Sequence, residues 1–460
     1  MRMSARVLEI EGQFLYIPGC MIISFDDSHT HTTEVKLVRA SHGVNLGKLR
    51  DTHEIYKEVV HDRIGVDDAI ERLDKVVKRK KKYSLWVLIP MYGLASASVG
   101  PFAFQARLID LPIAFLLGCI VGILQLVVAP ASDHYANVFE ITAAVVTSFL
   151  ARAFGSINDG NLFCFSALAQ SSIALILPGY IVLCASLELQ SRSMVAGSVR
   201  MVYAIIYSLF LGYGITIGSL IYGAMDKNAT SATQCTNPIP EYWYFLFVPI
   251  FTFCLIVINH GKWKQVPLMM LISLAGYVVN FFSAKRFIGN AQISNTLGAL
   301  AIGFLANLHT RLGQRFDNWC LDVWEFRIRP FFQCGWRQAG RRLSGTDDLE
   351  KQDSAREPYR RRVGYGLAAA AMLPAIFVQV PSGLAANGSL VSGITSANQI
   401  TQNATGTTTV SSGADSPVNS VAFNVGYSMI QVAIGITVGL FLSAIFVYPL
   451  GKRRSGLFSF

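Results

Sequence analysis

Long apolar runs separated by short polar breaks fill most of this 460-residue chain, and they limit its possible folds more than any other feature. Of its 68 charged side chains, 28 fall within residues 1–84 and 20 within residues 311–362, which leaves only 20 for the other 324 residues. Soluble domains are roughly 25% charged, whereas this chain is 15% charged. The segregation predicts an all-α polytopic membrane protein and excludes a disordered, collagen-like or coiled-coil chain.

A helix of about 20 apolar residues crosses the hydrocarbon core of a bilayer, and ten runs of this chain reach or approach that length. They lie at residues 85–104, 111–130, 136–154, 163–187, 195–225, 243–259, 264–282, 291–310, 364–386 and 425–449. The ten spans divide into five and five. Because five is odd, the two halves would cross the membrane in opposite directions, which is an inverted repeat.

The predicted spans divide the chain into a small N-terminal module and two membrane halves. Residues 14–25 are apolar and rich in β-forming side chains, and residues 32–39 alternate polar and apolar positions, which predicts a hairpin followed by two helices. The predicted segments are a cytoplasmic α+β module at 1–84, a first half of five spans at 85–225, spans six to eight at 226–310, a charged loop at 311–362, and spans nine and ten at 363–451 with a Ser/Thr-rich outer loop at 387–424.

The basic residues predict the orientation of the spans, because cytoplasmic loops are enriched in Lys and Arg. With the N-terminus in the cytoplasm, the inner loops after the first span hold most of these residues, including twelve within residues 311–362, whereas the outer loops hold five. Both termini are therefore predicted to be cytoplasmic, and we expect the plasma membrane rather than an endomembrane. The net charge of +10 reflects such flanks, as in residues 75–82 (KVVKRKKK), and no nucleic-acid-binding motif is present.

Three N-x-S/T sequons, at Asn228, Asn387 and Asn403, fall on the outer side of this topology and are candidate glycosylation sites. Of the eight cysteines, the same topology leaves only Cys235 in an outer loop. Together with the lack of a CxxC pair, this argues against a disulfide framework and against a structural zinc site.

Motifs of the common enzyme classes are missing from the sequence. The chain has no HExxH for a metalloprotease, no GxSxG for a nucleophile elbow and no GxxxxGK[ST] for a nucleotide. We therefore predict that it is not an enzyme and that it needs no cofactor. ATP-driven transport by this chain alone is excluded on the same ground.

Two proline-glycine breaks interrupt apolar runs at corresponding places in the two halves. The fourth span contains Pro178 and Gly179 (LPGY), and the ninth, which is fourth in its half, contains Pro381, Ser382 and Gly383 (VPSG). Freed backbone groups inside a membrane need protein or a water-filled cavity as partners. The breaks predict a substrate cavity between the halves; a pair of ordinary proline kinks is the alternative. Because exposed helix ends attract carboxylate and ammonium groups, the expected partner besides the lipid bilayer is a small zwitterionic solute.

Polar side chains within the spans are further candidates for the substrate path. Glu140 lies a few residues into the third span, where it could carry a coupled proton or hold a substrate amine. Alternatively, it lies at the inner interface and extends toward the headgroups. Gln170 and Ser171 lie about two turns before Pro178 and could line a polar path or pack helices together. Asn280 is a weaker candidate of the same kind in the second half.

Several segments of the sequence resemble the threonine/serine exporter family. The runs at 14–25 (FLYIPGCMIISF), 32–39 (TTEVKLVR) and 55–62 (IYKEVVHD) resemble the amino-terminal domain of these proteins. The spans around LPGY, followed by SRSMVAGSVR at 191–200, are similar to its first membrane half, and MLPAIFVQVPSGLA at 372–385 is similar to the carboxy-terminal exporter domain. The resemblance covers nearly the whole chain and is strongest for the fungal branch of pheromone-regulated membrane proteins.

This resemblance implies a secondary transporter that exports threonine, serine or similar small solutes, driven by an ion gradient. The predicted mechanism is alternating access between the two halves. Family members begin with a further helix before the hairpin, and this chain starts just past it, so we expect the N-terminal module to be truncated. The alternative is a non-transporting membrane regulator or adaptor that acts through the module and the charged loop at 311–362.

Overall fold

The computed structural model describes residues 5, 10–27, 32–39, 43–80, 82–136, 138–158, 162–226, 228–287, 290–323, 368–379, 390–391, 394 and 417–448, with side chains except at 133, 264, 312–323 and 417–429. This part of the chain is mostly helical. Its strands are β1 (Glu11–Ile17), β2 (Cys20–Asp27) and β3 (Thr32–Arg39). Its main helices are α1 (Leu46–Val60), α2 (Val66–Lys78), α3 (Leu85–Phe104), α4 (Leu111–Ile123), α5 (Phe139–Gly155), α6 (Phe165–Ile173), α7 (Gly179–Gln190), α8 (Met194–Met225), α9 (Tyr244–Ile258), α10 (Val266–Arg286), α11 (Ala291–Val323), α12 (Ala368–Gln379) and α13 (Pro417–Val447).

The three strands form one antiparallel sheet in the order β1-β2-β3. The predicted hairpin is present as β2 and β3. The apolar run before it, however, contains a turn of its own, because Pro18 fixes its φ and Gly19 takes a φ of 85° that other residues rarely adopt. Ile17 therefore pairs with Cys20, and the sheet has one strand more than the sequence predicted.

Six helical segments of the described chain are long and apolar enough to cross a membrane, judged by length and composition. They are Leu85–Phe104, Leu108–Ala131, Met194–Met225, Glu241–Ile258, Val266–Arg286 and Ile430–Val447. Two shorter apolar helices, α7 and α12, cover parts of the predicted fourth and ninth spans. These helices fit an all-α membrane protein, while the count of ten spans and the repeat stay predictions.

Helix α6 contacts α3, α4 and α5 of the predicted first half. All nine of its residues are buried, and Phe165 and Leu168 join the main hydrophobic core. Helix α12 has similar surroundings in the second half, since it contacts α9, α10 and α11. Both helices are thus enclosed by protein, which is the condition under which irregular backbone is tolerated at membrane depth.

A disulfide joins Cys164 to Cys235, with their Cα atoms 5.5 Å apart. The predicted fourth span includes Cys164, so no partner for Cys235 was expected from the sequence. In the structure Cys164 is the N-cap residue of α6 and lies outside the helix. Its amide donates to the buried carboxylate of Asp110 at 2.9 Å, which fixes the backbone beside the disulfide.

The N-terminal helices rest on the turn between α9 and α10. The Leu46 amide donates to the Asn259 carbonyl oxygen at 2.9 Å. Asp51 of α1 forms ion pairs with both Lys262 and Arg79. Burial raises the pKa of the Asp51 carboxyl, but hydrogen bonds and charge from the two cations outweigh this and hold that pKa below its usual range. These contacts fix α1 to the membrane-spanning part of the chain.

Candidate functional site

The predicted fourth span is interrupted between α6 and α7. Helix α6 ends at Ile173 and α7 begins at Gly179. Pro178 is the N-cap residue of α7 and has no amide hydrogen to donate. The Ile176 amide donates to the Ile173 carbonyl oxygen at 2.9 Å, a tighter turn than an α-helix makes. Pro178 and Gly179 are both buried, so the break lies inside the protein.

The first turn of α7 presents backbone amides that the helix itself does not use. Its first α-helical hydrogen bond runs from the Val182 amide to the Pro178 carbonyl oxygen at 3.0 Å. No side chain in the described part of the chain caps this helix end. The N-terminus of a helix carries a partial positive charge, so this end of α7 suits an anionic group such as a carboxylate.

An aromatic stack joins the break to the second half of the chain. The rings of Tyr180 and Phe377 are 4.6 Å apart at their centroids and inclined by 16°. Tyr180 directly follows Gly179, and Phe377 of α12 lies four residues before Pro381. The first break therefore packs against the helix that leads to the second. Pro381, Ser382 and Gly383 themselves lie outside the described residues.

Gln170 and Ser171 are buried in α6, where both contact neighbouring helix atoms. The Gln170 Nε2 group donates to the Ser166 hydroxyl at 2.9 Å. The Ser171 carbonyl oxygen accepts the Ser96 hydroxyl of α3, also at 2.9 Å. The first bond lies within α6 and the second joins α6 to α3; a role of either residue in a substrate path stays a prediction.

Glu140 lies in the first turn of α5 and is half-buried. Its electrostatic neighbours are Tyr203 and Tyr207 of α8. Among the described residues, no hydrogen bond or ion pair joins Glu140 to the break at Pro178. The structure thus places this carboxylate apart from the other candidates, between α5 and α8.

Gln379, the last residue of α12, is a polar residue that the sequence analysis did not select. Its side chain is 4% exposed, and its Nε2 group donates to the Gly276 carbonyl oxygen of α10 at 2.9 Å. Because a carbonyl oxygen only accepts, this bond fixes which way the amide points. The Oε1 atom is buried with no hydrogen-bond partner in the described part of the chain. It can therefore accept an ammonium or hydroxyl group.

Further amide groups lie close to Gln379. The Asn280 side chain of α10 donates to Asn295 of α11 at 2.8 Å. Gly298 of α11 lies against both Gln379 and Asn280, so closely that an added methyl group would overlap the glutamine amide. Neutral polar groups from three helices of the second half are thus close to the residues that precede Pro381. A glutamine two residues before a predicted break was the sequence signal for this cluster.

Asn228 lies in the loop that follows α8, together with Cys235. It is exposed, as a glycosylation site must be. Its backbone amide donates to the Asp226 carboxylate at 2.9 Å. The other two candidate sites, Asn387 and Asn403, lie outside the described residues.

Known proteins include a family whose model matches part of this chain and several relatives whose alignments cover all of it. Residues 1–222 match the family model described as "Putative threonine/serine exporter". An uncharacterised protein of Schizosaccharomyces pombe is 50% identical over an alignment that covers 100% of this chain and 54% of that protein. The pheromone-regulated membrane protein 10 of Debaryomyces hansenii is 48% identical, covering 100% of this chain and 40% of that protein. The protein of the same name in Candida albicans is 47% identical, with 100% and 37% covered.

The chain spans about half the length of the relatives it matches, or less. No solved structure matches it. The segment that matches the exporter model contains the sheet, α1, α2 and nearly all of the predicted first membrane half. The resemblance to the threonine/serine exporter family, and within it to the fungal pheromone-regulated membrane proteins, is therefore confirmed.

Proposed function

We propose that this chain is an exporter-like secondary transporter, in which two inverted halves carry a small zwitterionic solute such as threonine or serine by alternating access. The observation that carries the proposal is the stacking of Tyr180 on Phe377. It supports a site between the halves, because it brings the break at Gly179 against the helix that leads to Pro381. The matched family, described as a threonine/serine exporter, supplies the solute class.

The pairing of helices supports a repeat of five plus five spans. Within the first half α3 contacts α4 and α5 contacts α8; within the second half α9 contacts α10 and α11 contacts α13. In each half, therefore, the first span contacts the second span and the third span contacts the fifth. In each half, the helix before the break contacts the three spans that precede it, and α3 contacts α9 across the boundary. An inverted repeat produces this correspondence.

Glycines at matching places add support for the repeat. Gly214 and Gly218 of α8 lie against α5, and Gly435 and Gly439 of α13 lie against α11. Both pairs are four residues apart, on the last span of a half, and face its third span. Small residues at this spacing let two helix backbones approach closely within a membrane.

The disulfide supports the orientation that we propose. Cys164 and Cys235 lie at the end of the bundle where α8 finishes, while the sheet contacts Arg200 near the start of α8. At 1.5 Å per residue, Arg200 and Met225, the last residue of α8, are roughly 40 Å apart along the helix. Disulfides persist in oxidising compartments. The disulfide end, with Asn228, is therefore proposed to face outward, and the sheet to face the cytoplasm.

In this proposal the two halves supply complementary groups to the solute. The uncapped amides of α7 bind its carboxylate. The Oε1 atom of Gln379 is the candidate acceptor for its ammonium or hydroxyl group. Pro381, Ser382 and Gly383 are proposed to contribute freed backbone carbonyl oxygens, and Glu140 to carry a coupled proton.

Uptake of radiolabelled threonine or serine into inside-out vesicles tests the proposal. We expect wild-type uptake above that of empty vesicles. Tyr180→Ala removes an aromatic pair of about 0.5–1.5 kcal/mol, so uptake should fall about 2- to 10-fold if that energy holds the site together. Tyr180→Phe keeps the stack and is the matched control. Wild-type uptake equal to that of empty vesicles would contradict transport and would favour the regulator or adaptor.

A further inference from the structure

Helix α7 carries a line of polar side chains that leads away from the break. Tyr180, Cys184 and Glu188 are spaced by four residues and therefore lie on one face of the helix. The Tyr180 hydroxyl and the Cys184 thiol are electrostatic neighbours on this face. This line runs along α7 from Tyr180, beside the break, to Glu188 near the other end of the helix.

An ion pair ends this line. The Glu188 Oε1 atom lies 2.9 Å from the Arg200 Nε atom of α8, and the two side chains are only 21% and 20% exposed. The second carboxylate oxygen of Glu188, Oε2, is buried and has no hydrogen-bond partner among the described residues. A partly desolvated pair that leaves one oxygen unsatisfied gains little net stability from its attraction. Glu188 Oε2 can therefore accept a further hydrogen bond at this end of α7.

The N-terminal sheet contacts the arginine of this pair. Arg200 donates a hydrogen bond from Nη2 to the Tyr16 hydroxyl of β1. Its guanidinium carbon also lies 5.8 Å from the centre of the Tyr16 ring, within the range of a cation–π contact. One arginine thus contacts both the carboxylate at the end of α7 and the sheet outside the bundle.

We propose that Glu188 and Arg200 form an inner binding subsite for a zwitterionic solute, and that Tyr16 holds this subsite closed. The solute's carboxylate takes the place of Glu188 at Arg200, and its ammonium group takes the place of Arg200 at Glu188. Both partly buried charges stay paired during this exchange. A solute with a single charge leaves one of them unpaired, which is strongly unfavourable. The subsite therefore selects zwitterions. That the zwitterion is an amino acid rests on the proposed function.

Cys184 reports on this subsite, because it lies between the break and the ion pair. The test uses a chain in which the cysteines outside the disulfide, other than Cys184, are replaced by serine. Inside-out vesicles are treated with a membrane-impermeant maleimide, which reacts with a thiolate in contact with water. We expect slow labelling in the wild type and faster labelling when serine or threonine is added, but no acceleration by their methyl esters.

Three substitutions separate the parts of the proposal. Glu188→Gln and Arg200→Gln should accelerate labelling without solute by about tenfold, which corresponds to about 1.4 kcal/mol of lost closing energy, and both should abolish the response to serine. Tyr16→Phe should accelerate labelling while keeping that response.

The double variant Glu188→Arg with Arg200→Glu should restore slow labelling, which also shows that the fold survives. Glu241→Gln, in the exposed ion pair with Lys285, is the matched control and should behave as the wild type.

Each outcome decides between the two proposals. Equal labelling of Cys184 in the wild type and the Glu188 and Arg200 variants would overturn the subsite, even where the vesicles take up threonine. A response to serine that persists in Glu188→Gln would overturn it as well. Labelling that responds to serine in vesicles without uptake would support the subsite and overturn the proposed transport.

Discussion

Loss of the bond between Cys164 and Cys235 should destabilise the first membrane half. The two cysteines are 71 residues apart in sequence. Loop-closure entropy gives about 3 kcal/mol for a 15-residue loop and about 4.7 kcal/mol for a 100-residue loop, and therefore about 4.4 kcal/mol here. The loop contains α6, α7 and α8, which stay helical within a micelle or bilayer and have less freedom to lose than an unfolded soluble chain. We therefore expect Cys235→Ser to lower the free energy of unfolding by about 2–4 kcal/mol.

Unfolding of the purified protein by a denaturing detergent measures this difference. The wild type, the wild type with a reductant, and Cys235→Ser are compared, with Cys20→Ser as the matched control because Cys20 is a free thiol on β2. Reduction and Cys235→Ser should shift the transition equally, and Cys20→Ser should leave its response to reductant unchanged. Alkylation of Cys164 and Cys235 in the unreduced protein, or a wild-type transition that ignores the reductant, would refute the reasoning.

Three further predictions follow from the packing and the charges. A methyl group added at Gly218 or Gly439 would overlap a carbonyl oxygen of the facing helix. Either Gly→Ala variant should therefore lower the free energy of unfolding by about 1–3 kcal/mol in the same detergent assay. If only one of the two variants lost stability, the result would count against the repeat. The Asp51 pKa is lowered in the folded chain, so its stabilising effect is present above the ordinary carboxyl pKa and disappears as pH falls through the folded value. Asp51→Asn should therefore reduce thermal stability at pH 7, and this deficit should shrink as the pH falls through the folded pKa of Asp51; a deficit of unchanged size in acid would contradict the pairing with Lys262. Asn228 is exposed, so we expect it to carry a glycan that an endoglycosidase removes, with a shift in gel mobility. Asn228→Gln should abolish that shift. Identical mobility of the wild type with and without the enzyme would argue against an outward loop.

The parts of the fold that follow from local chemistry were predictable from the sequence. Long uncharged runs predicted membrane helices because a bilayer excludes charge wherever the protein does not shield it. Pro178 and Gly179 predicted an interruption, which is present between α6 and α7, because a proline has no amide hydrogen whatever surrounds it. The turn at Pro18 and Gly19 was equally local, but an apolar run on both sides concealed it.

Contacts that depend on distant parts of the chain were not predictable in the same way. Cys164 has a partner because the loop after α8 returns to the start of α6, a fact that neither local sequence contains. Gln379 looks like any polar residue in an apolar run until its contact with Gly276 orients it. Glu188 fell just outside the predicted fourth span, so its pairing with Arg200 across two helices was not considered. For Glu140 and Gln170, the sequence identified polar residues in apolar surroundings but not the neighbours that determine their roles.

A cross-link between positions 180 and 377 tests the central claim most directly. The claim is that the two spans with proline-glycine motifs meet at the proposed solute site, a proposal that the 4.6 Å stack of Tyr180 and Phe377 supports. A chain with Tyr180→Cys and Phe377→Cys is treated with a short thiol cross-linker, and threonine uptake is measured before treatment, after it and after reduction. We predict efficient cross-linking that stops uptake, with recovery once the link is reduced. Failure of the two positions to cross-link, or full uptake through the linked protein, would contradict the account.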